Sequence, residues 1–169
     1  MEILRIPKER LGALREAKSA IEKHYTVTLV MGEDGEIEIG GEIVWTYLAR
    51  DAVHAIGRGF APAQAMKLFK DDYSFYLIDL REHFSTENAM RRVKGRIIGE
   101  KGKVKAEIEQ ATGSDICIYG HTVGIIAPSD AMEYVKDAIG MIMDGAPLTV
   151  IAGVLARARD SIRFGRLKG

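Results

Sequence analysis

Gly95-Arg96-Ile97-Ile98-Gly99-Glu100-Lys101-Gly102 is the stretch on which the reading of this chain turns. Gly99 and Gly102 enclose Glu100 and Lys101, the apolar pair Ile97-Ile98 comes before them, and a basic amphipathic segment from Lys103 to Thr112 follows at once. Glycines at both ends of such a loop let the backbone turn tightly and let another chain approach with no Cβ in the way. The N–H groups that open the next helix point outward there and suit a phosphate. A nucleoside-triphosphate loop would need Gly-Lys-Ser/Thr, but Gly102-Lys103 is followed by Val104. The dinucleotide fingerprint G-x-G-x-x-G does not fit this spacing either.

Charge supports an anionic partner. The chain has 169 residues and no net charge, yet Arg91 to Lys105 holds Arg91, Arg92, Lys94, Arg96, Lys101, Lys103 and Lys105 against the single acid Glu100. Residues 1–90 carry 11 Lys/Arg against 15 Asp/Glu, and residues 91–169 carry 13 against 9. Such a length makes one ordinary domain or two small ones, and 47% hydrophobic residues supply a core without metals or disulfides. No apolar run reaches the roughly 18–20 residues of a membrane span. The N-terminus lacks the layout of a signal peptide. One cysteine, Cys117, excludes an internal disulfide and any zinc site built on paired cysteines, and makes the reducing cytoplasm the expected compartment.

Outward from the loop, period and punctuation predict the remaining elements. The first half reads as a strand over 3–6, a helical stretch from Pro7 to about His24, strands over 25–31 and 36–39 joined by an Asp34-Gly35 turn, a helix over 43–56, and a short helix from Pro62 to Phe69. The second half reads as a strand over 75–80 and a helix capped by Ser85 that runs through Arg92. Three glycines then break the chain over 95–102. A helix over 103–112, strands over 115–119 and 122–127, a helix from Pro128 to Met143 and a final helix over 149–164 complete it. An offset of 87 residues pairs Leu11-Gly12 with Ile98-Gly99, Lys18 with Lys105, and Ile21-Glu22 with Ile108-Glu109, which favours an internal duplication. In this register Gly12-Ala13-Leu14-Arg15 stands where the glycine loop would be, with Arg15 in place of the second glycine.

The words Ile97-Ile98-Gly99-Glu100-Lys101-Gly102 and the helix-strand-strand-helix order after them resemble the KH domain, a single-strand nucleic-acid binder whose loop clamps about four nucleotides. The resemblance implies an α+β chain of two tandem KH-like modules (type I, βααββα), each a three-stranded sheet with helices on one face, plus a C-terminal helix. The expected parts are a degenerate module over 1–70, a module with an intact loop over 71–145, and a basic helix over 146–169 packed on the second module. Residues 88–99, Ala55-Ile56-Gly57-Arg58-Gly59-Phe60 and Gly145-Ala146-Pro147 further resemble the archaeal counterpart of the partner-of-Nob small-subunit assembly factor. That family implies binding near the 3′ end of small-subunit ribosomal RNA or its precursor. It also implies two protein partners, an rRNA-processing nuclease and the alpha subunit of archaeal initiation factor two.

The expected RNA surface comprises Arg91, Lys94, Gly95, Arg96, Ile97, Ile98, Gly99, Glu100, Lys101, Gly102, Lys103 and Ile118. In it, Arg96 and Lys101 give charge, while Ile97, Ile98 and Ile118 meet bases. Tyr119 and His121 flank the short hairpin beside that groove as stacking candidates. The first module, with its acidic bias, is read as protein-facing. His24, His54, His83 and His121 show no metal-ligand spacing, and Cys117 reads as a small buried hydrophobe. No catalytic residue, metal or cofactor is expected. The alternative reading is a protein–protein scaffold of KH-like fold with no RNA clamp. Arg157, Arg159 and Arg163 recur at helical spacing opposite Val154, Leu155, Ala158 and Ile162; they either extend the RNA surface or sit on a helix that only closes the core.

Overall fold

Apolar residues at Leu11, Leu14, Ala17, Ile21 and Tyr25 recur at helical period, and all five are buried on one face of α1 (Leu11–Tyr25). That helix covers an antiparallel sheet of β1 (Glu2–Arg5), β2 (Thr28–Met31) and β3 (Glu36–Gly40) in the order β1-β3-β2. Ile37 and Ile39 alternate inward along the central strand, and Leu29 lies opposite Ile39. Helix α2 (Ile43–Gly57), the single turn α3 (Pro62–Ala65) and a 3-10 turn at Met66–Phe69 complete the first of two compact units, Met1–Asp71. The structure, a computed structural model, describes all residues from Met1 to Gly169.

The second unit, Asp72–Gly169, has an antiparallel sheet of β4 (Tyr73–Asp79), β5 (Asp115–Tyr119) and β6 (Thr122–Pro128) in the order β4-β6-β5. Its helices are α4 (Glu87–Ile98), α5 (Lys103–Thr112), α6 (Met132–Met143) and α7 (Leu148–Lys168). Val93 and Ile97 of α4, Ile108 of α5, Val135 and Ile139 of α6, and Ile151 and Leu155 of α7 share one core with Val123 and Ile125 of β6. No helix is long and apolar enough to cross a membrane.

The two units repeat each other contact by contact. Glu22 accepts from the Leu29 N–H at 3.0 Å, and Glu109 accepts from the Ile116 N–H at the same distance. Lys18 and Lys105 each sit one turn before their glutamate, at 3.8 and 3.3 Å. Both helices end in a left-handed cap, Thr26 (φ 54°) and Gly113 (φ 73°), whose N–H reaches the carbonyl of Glu22 or Glu109. Upstream, Arg10 donates to the carbonyls of Ile56 and Phe60 at 2.8 and 2.7 Å. Arg96 does the same to Ile142 and Ala146 at 2.6 and 2.5 Å.

These pairings correct the sequence register. Arg10 matches Arg96 at an offset of 86, and Glu22 matches Glu109 at 87, so the second unit has one residue more between them. Gly12 therefore lies across from no loop glycine. It is inside α1, which runs without a break from Leu11 past Arg15, so the first unit has no loop at this place for Arg15 to obstruct. The expected first helix of that unit is also missing, with only a 3-10 turn at Lys8–Arg10 preceding α1.

Smaller differences have local causes. Thr86, not Ser85, caps α4, because its Oγ1 accepts from the Ala89 N–H at 3.1 Å. Gly95 is an ordinary residue of α4 rather than a break. Tyr25 closes α1 instead of opening β2, since the left-handed Thr26 turns the chain only after it. The acidic bias assigned to the first module falls elsewhere. Met1–Asp71 holds 10 Lys/Arg against 11 Asp/Glu, and the surplus acids lie between Asp72 and Glu87 in the second unit.

Candidate nucleic-acid interface

The loop between α4 and α5 turns through three residues of positive φ: Gly99 (76°), Lys101 (56°) and Gly102 (75°). The two glycines are needed for different reasons. A Cβ on Gly99 would lie 2.4 Å from Val104 Cγ2 and 2.7 Å from its backbone nitrogen, so this glycine lets the start of α5 close onto the end of α4. A Cβ on Gly102 would meet nothing within 4 Å, so here the bare backbone faces open space. Gly102 is also the N-cap of α5 and offers no side chain to its first N–H groups. Glu100, Lys101 and Lys103 are exposed around this point. The loop thus presents cations, unobstructed backbone and a helix N-terminus in one place.

Helix α4 supplies one wall. Arg91, Gly95 and Ile98 follow one another at spacings of four and three and share a face. All three are exposed, Ile98 at 39%. Gly95 keeps that face flat, since a Cβ there would touch nothing within 4 Å. Lys94 donates from Nζ to the Gly120 carbonyl at 2.9 Å, tying α4 to the turn between β5 and β6. Strand β5 is the edge of the sheet on the far side of β6 from β4, and its Ile118 is only partly covered where it packs on the core. Ile98 and Ile118 are therefore the apolar side chains that this surface leaves uncovered or partly uncovered.

Two expected site residues are overturned. Ile97 is 0% exposed and belongs to the core, because its helical position points it at Val93 and Val104 rather than outward. Arg96 is half-buried, and its guanidinium donates to two carbonyls at the end of α6 and the start of the link to α7. It holds the unit together, as Arg10 does in the first unit, and it is not a free cation. In sequence Arg10 and Arg96 are each followed by an aliphatic residue that is buried (Leu11, Ile97), a likeness that shows at an offset of 86 and not of 87.

Of the flanking candidates, His121 lies 4.0 Å from Asp79, whose carboxyl is held at about 2 chiefly by hydrogen bonds from Arg81. Cys117 is half-buried and points away from the core face of β5, opposite to Ile116 and Ile118. No group of three or more His, Cys, Asp or Glu side chains gathers to hold a metal.

Comparison with known proteins follows the same geometry. Residues 74–160 match the eukaryotic-type KH domain (KH-domain type I), in the form of the second KH domain of PNO1. The chain is 38% identical over 179 residues to the KH domain-containing protein MJ0443 of Methanocaldococcus jannaschii, covering 99% of this chain and 78% of that one. It is 31% identical over 103 residues to the pre-rRNA-processing protein PNO1 of Chaetomium thermophilum, covering 59% of this chain and 39% of that protein. A chain in the solved a/eIF2alpha–aDim2p–rRNA complex of Pyrococcus horikoshii superposes with a TM-score of 0.85 at 32% identity, covering 95% of this chain and 94% of that one. The glycine loop, the sheet order and these likenesses agree, and the chain belongs to the KH-domain family that takes in eukaryotic PNO1 and archaeal MJ0443.

Proposed function

We propose that this chain is a non-catalytic small-subunit assembly factor of the cytoplasm that holds single-stranded rRNA, near the 3′ end of the small-subunit rRNA or its precursor, in the second unit. The observation that carries this reading is the loop at Gly99–Gly102, with its open backbone at Gly102 between exposed Lys101 and Lys103. Phosphates pack on the loop and on the N-terminus of α5, with Arg91 and Lys94 at the rim. Bases lie on Ile98 and Ile118 and are read on their Watson–Crick edges from the β5 side. The rRNA in the Pyrococcus complex supports RNA as the ligand, and the likeness to the pre-rRNA-processing protein PNO1 supports the setting.

The test is an anisotropy titration of a labelled single-stranded RNA from the 3′ end of small-subunit rRNA. Wild type is expected to bind with a log–log salt slope of about −2, from about three neutralised phosphates. Glu100→Asp/Lys101→Asp, shown folded by circular dichroism, is expected to lose at least about tenfold in affinity. Equal binding by both proteins overturns the reading.

The first unit is the proposed protein-facing module, a KH module in which loop and first helix are gone. One observation favours this. Helix α2 leaves Ile43 (80%), Val44 (65%) and Tyr47 (62%) exposed, with Trp45 and Leu48 beside them, an apolar face of the kind that marks protein interfaces. The a/eIF2alpha in the Pyrococcus complex supports the alpha subunit of initiation factor two as a partner, which we assign to this face, with an rRNA-processing nuclease as a second partner of the whole chain. Val44→Lys/Tyr47→Lys is expected to abolish binding of that alpha subunit while leaving RNA affinity intact. Unchanged binding of the alpha subunit overturns the assignment.

A further inference from the structure

Helix α7 continues well beyond the core it helps to close, and it runs beside α5 in a way that leaves a groove. Two adjoining cavities lie along that seam, and a third meets its far end. The first, about 250 Å3, is lined by Glu107 and Gln110 of α5 and by Ala152, Ala156 and Arg159 of α7. The second, about 420 Å3, shares Gln110 and Arg159 and adds Arg163 and Arg166. The third, about 580 Å3, shares Arg166 and opens onto Asp72 and Asp130.

This seam starts next to the RNA loop. Lys103, the residue after Gly102, is followed on the same face of α5 by Glu107 and Gln110, at spacings of four and three. Seven residues of helix rise about 10 Å, so Gln110 lies within reach of the next one or two nucleotides of a strand leaving the loop.

The charges along the groove are unequal. Arg159 and Arg163 stand one turn apart and are both exposed. Arg159 has only Asp160 nearby, at 3.8 Å, and Arg163 is in no ion pair. Arg166 differs, because its guanidinium donates to both oxygens of Asp130 at 2.9 and 3.1 Å. With Asp72 in the same cavity, the positive stretch ends there. The guanidinium groups of Arg159, whose one ion pair is with exposed Asp160, and of Arg163 line the middle cavity, while Glu107 puts a carboxylate, an acceptor only, in the first.

We propose that the groove between α5 and α7 carries the RNA strand onward from the loop, with Arg159 and Arg163 on its phosphates and Gln110 and Glu107 on the edge of an unstacked base. This rests on the RNA-binding reading above and adds a second, separate contact site to it. The ligand class is single-stranded nucleic acid longer than the loop alone can hold.

The test uses the full chain and two labelled single-stranded RNAs, a tetranucleotide and a decanucleotide that ends in the same four nucleotides. Arg159→Ala/Arg163→Ala is expected to weaken decanucleotide binding about five- to tenfold. Its salt slope is expected to become shallower by about 1.4, and tetranucleotide binding to stay as in wild type. Arg159→Lys/Arg163→Lys restores the salt slope, which separates charge from fold. Equal decanucleotide affinity in wild type and the alanine variant overturns the groove, and so does an equal loss on both RNAs. A decanucleotide that binds wild type no more tightly than the tetranucleotide also overturns it, with the loop reading intact. Loss of the alpha subunit of initiation factor two with unchanged RNA affinity hands the groove to a protein and overturns it too. Conversely, sensitivity to the arginine pair together with indifference to Glu100→Asp/Lys101→Asp removes the loop and keeps the groove.

Discussion

Arg10 and Arg96 make the same two hydrogen bonds in their respective units, yet the chain that follows each of them goes a different way. After Arg10 it enters α1 directly. After Arg96 it completes α4, turns through Gly99, Lys101 and Gly102, and only then enters α5. One added residue, with two glycines to permit positive φ, converts a continuous helical path into an exposed loop over a helix N-terminus. The lesson is that the supporting ties and the binding device are separable. Glu22 and Glu109 still fasten the edge strand in both units, and the left-handed cap is still there in both. The same supporting ties hold a unit with the glycine loop and a unit without it.

The largest expected effect breaks the comparison at the loop. Gly99→Val places a branched side chain at φ 76° and ψ 175°, a glycine-only region, against the backbone of Val104. It is expected to destabilise the second unit by about 3 kcal/mol or more. Gly12→Ala, at the position the sequence register pairs with it, is expected to stabilise α1 by about 0.5–1 kcal/mol, as its Cβ meets nothing within 4 Å. Urea unfolding separates the two, since Trp45, the chain's one tryptophan, lies in the first unit and circular dichroism reads both. A destabilising Gly12→Ala would mean that the first unit still uses this glycine as a loop residue.

Next come the paired arginines. Arg10→Lys and Arg96→Lys keep the charge but lose the two-pronged geometry, and each is expected to cost its own unit about 2 kcal/mol. If Arg96→Lys left stability untouched and weakened only RNA binding, Arg96 would return to the RNA surface.

The caps sharpen the comparison. Thr26 holds the left-handed position that glycine holds at Gly113. Thr26→Gly is expected to gain about 0.5–1 kcal/mol and Gly113→Thr to lose about 1–2 kcal/mol, both read from thermal midpoints. A loss at Thr26→Gly would show that its side chain does something the geometry does not reveal.

The smallest effect is acid-linked. Hydrogen bonds from Arg166 lower the Asp130 carboxyl below its usual range. A depressed carboxylate stabilises the fold above its unfolded value, near pH 4, and that stability is lost as pH falls through the folded value. The pair is largely exposed, so the expected loss is below about 1 kcal/mol. Asp130→Asn is expected to flatten acid unfolding of the second unit as the pH falls below about 4. An unchanged acid profile would show that the end of α7 is not held by this pair.

Local pattern was enough for most of the elements and for the loop. The helical period of α1, α2, α5 and α6, the alternation in β3 and the glycine spacing at Gly99 and Gly102 are properties of neighbouring residues, and hydrophobic burial and glycine's freedom act on neighbours. The 87-residue repeat was legible too, through Lys18, Glu22 and their counterparts. What local pattern could not supply were contacts made across 46 to 50 residues, such as those of Arg96 with Ile142 and Ala146. A charged residue beside a glycine loop looks the same in sequence whether its guanidinium faces solvent or carbonyls. The same limit hid the burial of Ile97 beside the exposed Ile98, and it moved the acidic surplus out of the first unit. Sequence alone therefore determined where this protein can turn, coil and extend, and that it carries a KH loop. Only the tertiary structure decided which of the loop's neighbours are spent on the fold and which stay exposed, because a side chain's availability depends on what is packed against it.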